Sequence, residues 1–279
     1  MNCINCGKEL TKEDIIKQTK QHAKKDLCHR CIKLRKNNKL FNIMPNKILN
    51  KDSIEYLNKI KDNSIDMVLT DVPYIISKKT GFKTGGTVER LKISMDFGEW
   101  DKNFTLNDLD NNIKEYYRVL KPGGYIIIFY DLWKVQELSE LLIKYKFNQL
   151  RFIEWIKTNP VPINSKTNYL TNSREVAICA VKGNKPIFNS EYDNGVYSYP
   201  IYHNKDRFHP TQKPVKLFEE LIKKHTNKND IVLDTFQGSG TTALACINTN
   251  RKYMGCERDK EYFEKILKRL KNINKFEDW

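Results

Sequence analysis

With 279 residues, 39% of them apolar and 11% aromatic, the chain can bury a sizeable core, which excludes a disordered tail and predicts one main domain with a small appendage. Lys and Arg total 49 against 34 for Asp and Glu, a formal charge of +15. That balance favours a polyanionic partner, nucleic acid first, with a lysine-rich solvated surface as the alternative, while the lack of any apolar run near ~18 residues excludes a membrane span.

The start, MNCINCGKEL, lacks the build of a signal peptide, so a cytoplasmic location is expected, and seven cysteines there would serve as thiols or metal ligands. Four of them fall in two knuckles, Cys3-x2-Cys6 and Cys28-x2-Cys31. Four thiolates on tight turns complete a closed tetrahedral zinc site; unrelated cysteines are the alternative. His22 and His29 are available as substitutes for one ligand but are not needed. Residues 1–40 therefore read as a zinc ribbon-like appendage, too short for a core of its own, whose metal would be structural and contribute folding energy. The basic stretch KLRKNNK at 33–39 reads as a linker to the main domain, 41–279.

From residue 47 short apolar runs alternate with helical patterns. Strands are predicted at 47–49, 65–70, 125–130, 149–156, 175–181, 230–234 and 252–257, about seven in all. Helical patterns fall at LNDLDNNIKEYYRVL, which KPGG closes, and at VQELSELLIKY, VKLFEELIKKH and EYFEKILKRLKNI. This alternation predicts an α/β fold with a doubly wound, mostly parallel sheet. No helical pattern separates 149–156 from 175–181, so those two strands are expected to form an antiparallel, hairpin-like pair.

The stretch DIVLDTFQGSGTT predicts a cofactor turn. A strand ends at Asp234, a turn with Phe236, Gly238 and Gly240 follows, and Thr241 opens a helix whose free N–H groups face a ligand. Glu257 ends the next strand, where a carboxylate takes two ribose hydroxyls. The competitor is a dinucleotide site, with Ala243 in place of the third glycine. Asp234 suits a cationic ammonium better than a pyrophosphate, which favours S-adenosylmethionine over a nicotinamide cofactor.

TDVPY at 70–74, KPGG at 121–124, HPTQKP at 209–214 and DTFQGSGTT at 234–242, in that order, resemble the amino-methyltransferases of DNA, specifically the permuted beta class. The resemblance covers about residues 46–270 and leaves out the cysteine segment. It implies a Rossmann-like methyltransferase sheet, S-adenosylmethionine as methyl donor and double-stranded DNA as partner. It also implies a catalytic tetrad, Asp71, Val72, Pro73 and Tyr74, facing the cofactor turn. The amino group of adenine is a poor nucleophile because its lone pair is delocalised. Asp71 and the Val72 carbonyl would each accept one N–H and aim that lone pair, Pro73 would fix the turn, and Tyr74 would stack on a flipped base. The family's usual tetrad has proline where this chain has Val72, which is expected to keep the carbonyl contact and loosen the turn.

Further positions follow from the resemblance. Asp52 is similar to the acid that contacts the cofactor's adenine, although a helix N-cap explains it as well. Thr211 and Lys213 match the segment lining the methionine moiety, or form a rigid entry to a helix. Trp155 and Lys157 resemble the strand end near the target base, although a buried Trp is commonly core. Asp at the first tetrad position is typical of adenine-N6 enzymes and Ser of cytosine-N4 enzymes. The expected function is therefore site-specific adenine-N6 methylation, with cytosine N4 as the alternative and an inactive zinc-dependent DNA-binding protein as the weaker one. The irregular stretches 77–111 and 158–208 are expected to supply a lid and base-reading contacts. The sequence leaves open a homodimer and a cognate restriction enzyme.

Overall fold

The computed structural model describes residues 44–74, 104–160, 171–203 and 207–274. In chain order they form β1 (Lys47–Asn50), α1 (Ser53–Leu57), β2 (Ile65–Asp71), α2 (Leu106–Val119), β3 (Leu120–Tyr130), α3 (Val135–Lys144), β4 (Phe147–Lys157), β5 (Arg174–Lys182) and β6 (Val196–Tyr199). Then come α4 (Val215–His225), β7 (Ile231–Asp234), α5 (Thr241–Asn248), β8 (Lys252–Glu257) and α6 (Lys260–Asn274). The strands make one sheet in the order β1-β8-β7-β2-β3-β5-β4-β6. The doubly wound sheet expected from the sequence is present, with eight strands instead of about seven because β6 joins the edge parallel to β4. β5 alone among them runs against its neighbours, antiparallel to both β3 and β4, as the expected hairpin-like pair requires.

Central strands read as unbroken apolar runs because both faces of the sheet are covered. Side chains alternate between the two layers with period two. Val68, Ile126 and Ile128 pack with Leu57 of α1, Leu109, Ile113 and Tyr116 of α2, and Leu138 and Leu142 of α3. Met67, Leu69, Ile127 and Phe129 pack on the other side with Leu217, Phe218 and Leu221 of α4 and Ala245 of α5. Ile266 and Leu270 of α6 close the end of the sheet against Ile48 and Ala243.

The helix α2 starts on a capping box. Thr105 N–H donates to Asp108 Oδ2 at 2.9 Å and Asp108 N–H donates to Thr105 Oγ1 at 3.2 Å. The last residues of the stretch 77–111 thus belong to a capped helix, and the rest of the expected lid lies outside the described residues. Arg118, buried near the other end and paired within α2 to Glu115 at 2.6 Å, ties the helix to the segment before β2 through Asp62 at 2.5 Å and the carbonyls of Leu57 and Ile60.

The sheet opens a crevice where its winding reverses. β7 and β2 are parallel neighbours, with Met67 opposite Val232 and Val68 opposite Leu233. From β7 the chain turns away through α5 to β8, whereas from β2 it turns the other way to α2 and β3. The carboxyl ends of two adjacent strands therefore carry diverging connections, and a ligand fits between them.

Candidate active site

At the carboxyl end of β7 the turn Phe236–Gly240 folds back on itself. Gly240 N–H donates to the Gln237 carbonyl at 2.7 Å and has a φ of 74°, and Gly238 has a φ of 51°. Both lie in the left-handed region that glycine enters without strain, and a Cβ on Gly240 would meet Ile266 Cγ2 at 2.8 Å.

Asp234 commits both carboxylate oxygens to the protein. Oδ1 accepts the Thr70 hydroxyl at 2.7 Å and the Phe236 N–H at 3.0 Å, and Oδ2 accepts the Thr242 hydroxyl at 2.6 Å. Burial raises its pKa to about 6. The acid that the sequence assigns to a ligand's ammonium is thus also the clasp joining the end of β2 to the cofactor turn. Glu257, ending β8, accepts the N–H of Gly238 at 2.8 Å and that of Asp259 at 2.9 Å, and burial raises its pKa to about 7. Asp52 is the N-cap of α1, its Oδ1 accepting from Ile54 N–H at 2.9 Å and Glu55 N–H at 3.4 Å, and it lines the same crevice. The cap and a place in the ligand wall coexist.

The segment HPTQKP packs on the turn from the other side. A Cβ on Gly238 would come within 3.3 Å of His209 Nε2, and the His209 ring lies 4.6 Å from that of Tyr262 in α6. Burial lowers the His209 pKa to about 4, so the ring is neutral and its Nδ1 accepts the Thr211 N–H at 3.3 Å. Thr241 at the start of α5 donates its hydroxyl to the Lys213 carbonyl at 3.3 Å.

The tetrad leaves β2 directly beside this turn. Val72 packs its side chain into the core at 2% exposure, and Pro73 is buried with it. Burying an apolar side chain of this size is worth ~1.5–3 kcal/mol, a stabilisation that valine supplies where the family's proline would instead stiffen the backbone. Tyr74 donates its hydroxyl to Asp71 Oδ1 at 2.8 Å and stands edge-on to Tyr130 at 6.0 Å. Asp71 Oδ2 accepts from Lys213 Nζ at 2.5 Å. Lys213 Nζ also lies 2.9 Å from Glu175 Oε2 and 3.3 Å from the Tyr74 hydroxyl, while Lys157 Nζ lies 2.8 Å from Glu175 Oε1 and 5.4 Å from the Trp155 ring centre. Burial pushes the Asp71 pKa up, against the pull of Lys213. Burial opposes the charges on Glu175 and Lys213 too, but the lysines hold the Glu175 pKa below the ordinary range, and the two acids hold that of Lys213 above it.

Sequence reasoning missed Glu175. It starts a strand instead of ending one, and only the reversed direction of β5 brings it to the carboxyl edge of its neighbours. Trp155 is buried, its Nε1–H donating to the Tyr199 carbonyl at 2.8 Å, and so is fixed by β6, another element the sequence did not mark.

All the expected catalytic and cofactor positions that the structure describes gather around one cavity of about 760 Å³, except Gly240, which shapes the turn behind it. Cys3, Cys6, Cys28 and Cys31 lie outside the described residues, and among those described no group of three or more metal-binding side chains occurs. The fit of a nucleoside cofactor rests on three buried acceptors in the cavity wall. Asn112 Oδ1, Gln212 Oε1 and Gln237 Oε1 have no partner among the described residues. Each such atom costs ~1–3 kcal/mol, which a ligand rich in donors offsets. S-adenosylmethionine carries an adenine amino group, two ribose hydroxyls and an ammonium, all donors. Phe236 and Phe104, 5.4 Å apart, give the cavity an apolar end for the purine.

Comparison with known proteins identifies the family. The family model described as DNA methylase matches residues 65–269. The Type II methyltransferase M2.LlaDCHI of Lactococcus lactis subsp. cremoris is 33% identical over 242 residues, 80% of this chain and 88% of that protein. The Type II methyltransferase M2.DpnII of Streptococcus pneumoniae is 32% identical over 246 residues, 81% of this chain and 90% of that protein. Among solved structures, the M1.HpyAVI–SAM complex matches with a TM-score of 0.61 at 31% identity, covering 80% of this chain and 98% of that one. With the family match spanning most of the chain and relatives of this identity and coverage, the chain belongs to the DNA methylase family as an S-adenosylmethionine-dependent DNA methyltransferase.

Proposed function

We propose that the protein methylates the N6 amino group of adenine at a specific sequence in double-stranded DNA. The observation that carries this reading is the meeting of Asp71 with the cofactor turn, joined by the 2.7 Å hydrogen bond from Thr70 to Asp234. When bound, S-adenosylmethionine supplies an electrophilic methyl group. Glu257, at the end of β8, is suited to accept its ribose hydroxyls, and Asp52, Thr211 and the Phe236–Thr241 turn to line the rest. A target base turned out of the duplex enters beside Tyr74, whose ring offers it a stacking face. Asp71 accepts one N–H of the amine and the Val72 carbonyl the other, which aligns the nitrogen lone pair and offsets the positive charge that grows there. Taking the methyl group from the donor's sulfonium, with the S–C bond broken as the N–C bond forms, would leave the nitrogen cationic, and Asp71 or water would receive one of its protons.

The basic balance of the whole chain, +15, suits a DNA partner. A cognate restriction enzyme for the same site fits the Type II relatives, and a cytoplasmic location fits such a substrate. Cys3, Cys6, Cys28 and Cys31 are proposed to hold one structural zinc ion in an appendage that adds phosphate contacts. Duplex DNA incubated with methyl-labelled donor and digested to nucleosides tests the central reading. With mixed-sequence duplex, label is expected in N6-methyldeoxyadenosine; label confined to N4-methyldeoxycytidine selects the cytosine alternative, and salt-dependent DNA binding with no label on any sequence supports the inactive DNA-binding protein.

A further inference from the structure

Lys213 is 4% exposed and its ammonium has three protons and three acceptors: Asp71 Oδ2 at 2.5 Å, Glu175 Oε2 at 2.9 Å and the Tyr74 hydroxyl at 3.3 Å. No proton remains for a ligand. The same residue gives its main-chain carbonyl to Thr241, the first residue of α5, so it spans from the cofactor turn to the tetrad. Behind it, Glu175 is braced by Lys157 at 2.8 Å. We propose that Lys213, held by Glu175, is a positioning residue that keeps the Asp71 carboxylate charged and aimed at the target amine, and that it serves the tetrad and not the methionine end of the cofactor. This rests on the reading of Asp71 as the acceptor of the amine N–H.

The argument is one of charge and direction. Asp71 and Glu175 are two acids 20–21% exposed, set against two lysines, so the cluster is neutral as it stands. Without Lys213, two acids would share one lysine that sits on the far side of Glu175. Asp71 would then take up a proton, because burial already raises its pKa, and a protonated carboxyl presents a donor where the amine needs an acceptor. The groups that bear on its charge are Lys213 from the segment before α4, Glu175 from β5, Tyr74 from its own turn and Asp234 from β7, with Lys157 of β4 behind Glu175. Direction follows from the same contacts. Tyr74 anchors Oδ1 and Lys213 anchors Oδ2, so the carboxylate plane is fixed at both oxygens and each keeps a lone pair for the substrate.

The test compares Lys213→Met, Glu175→Gln and Asp71→Asn in steady-state DNA methylation across pH, with S-adenosylmethionine affinity measured by calorimetry. For Lys213→Met, kcat at pH 7 should fall ~30-fold or more with cofactor affinity within about twofold, and the acid limb of the kcat profile should move up by about one pH unit. Part of the lost rate should return at pH 9. Glu175→Gln leaves no unpaired acid, and should lower kcat several-fold, ~3 to 10, with cofactor affinity again unchanged. A tenfold loss of cofactor affinity with kcat intact in Lys213→Met, or a kcat loss that is the same at every pH, overturns the proposal. If Lys213→Met does not fold, Glu175→Gln decides, and an unchanged kcat there overturns it. Full turnover in Asp71→Asn would instead reject the underlying reading of Asp71, whatever the lysine variants do.

Discussion

At the scale of single residues the site works through buried acids whose charge is conditional. Glu257 has a pKa of about 7 because it is buried, and accepting two ribose hydroxyls requires the ionised form. In the free protein the carboxyl is therefore half protonated near neutrality, and in the proposed ribose contact cofactor binding would displace that proton. Affinity for S-adenosylmethionine should weaken as pH falls from 7.5 to 5.5, approaching tenfold per unit below 7. Calorimetric titration across that range checks this, and Glu257→Gln should bind more weakly with that limb removed. An affinity that is flat through pH 7 in the wild-type protein would separate Glu257 from the ribose. Asp234 acts on stability in a related way. Its folded pKa of about 6 lies above the ordinary carboxylate value, so its protonated form favours the folded state; that contribution is full below the unfolded pKa and is lost as pH rises to about 6. Asp234→Asn should flatten this part of the stability-against-pH curve, measured by denaturant unfolding between pH 4 and 7.

At the scale of elements the critical contact is between β7 and β8, which carry the turn and Glu257. Asp234 lies opposite Gly255 across the ladder, and a Cβ on Gly255 would stand 2.2 Å from the Asp234 carbonyl and 2.5 Å from Gln237 Nε2. Backbone cannot yield as a side-chain tip does, so Gly255→Ala should cost at least ~2 kcal/mol and lower the Tm by ~5 °C or more. Gly183 gives the contrast. It has a φ of 72° but nothing within 4 Å of its missing Cβ, so Gly183→Ala should cost only the ~1 kcal/mol of local backbone strain. Thermal unfolding of the two variants side by side checks the difference.

The long elements were legible because their signals are local. The unbroken apolar runs of β2 and β3 and the 3.6-residue spacing of α2 and α4 follow from which faces are covered. The glycine turn before α5 has a sequence signature of its own, whereas the capping box of α2 was not read from the sequence. What escaped is short or non-local. The helix α1 has five residues, fewer than two turns, so only its N-cap Asp52 left a trace. The strand β6 is four residues, VYSY, in a polar surround, and gains its place from pairing with β4. Glu175 carries no motif, since its role comes from the direction of β5 in the finished sheet. Lys213 was legible as a site residue, but the partner of its ammonium, Asp71, is 142 positions away.

At the scale of the whole molecule two motifs at opposite ends of the main domain make one site because the sheet reverses its winding between β7 and β2. The proposed zinc appendage falls, in sequence, outside the stretch matched by the family model, so its removal should be felt by DNA and not by the cofactor. Deleting residues 1–40 should weaken DNA binding and reduce its salt slope, with S-adenosylmethionine affinity nearly unchanged. Metal analysis of the full chain should give about one zinc, since four thiolates make one site. A metal-free chain with four freely titrating thiols, or undiminished DNA affinity after the deletion, would contradict this part of the account. The most direct test of the central claim is Asp71→Ala, measured for S-adenosylmethionine binding by calorimetry and for methyl transfer to duplex DNA. Removing a transition-state contact should lower turnover ~100-fold or more and leave the cofactor dissociation constant within about twofold. Turnover close to that of the wild type, or a loss of cofactor binding as large as the loss of turnover, would contradict the assignment of Asp71 as the group that receives the target amine.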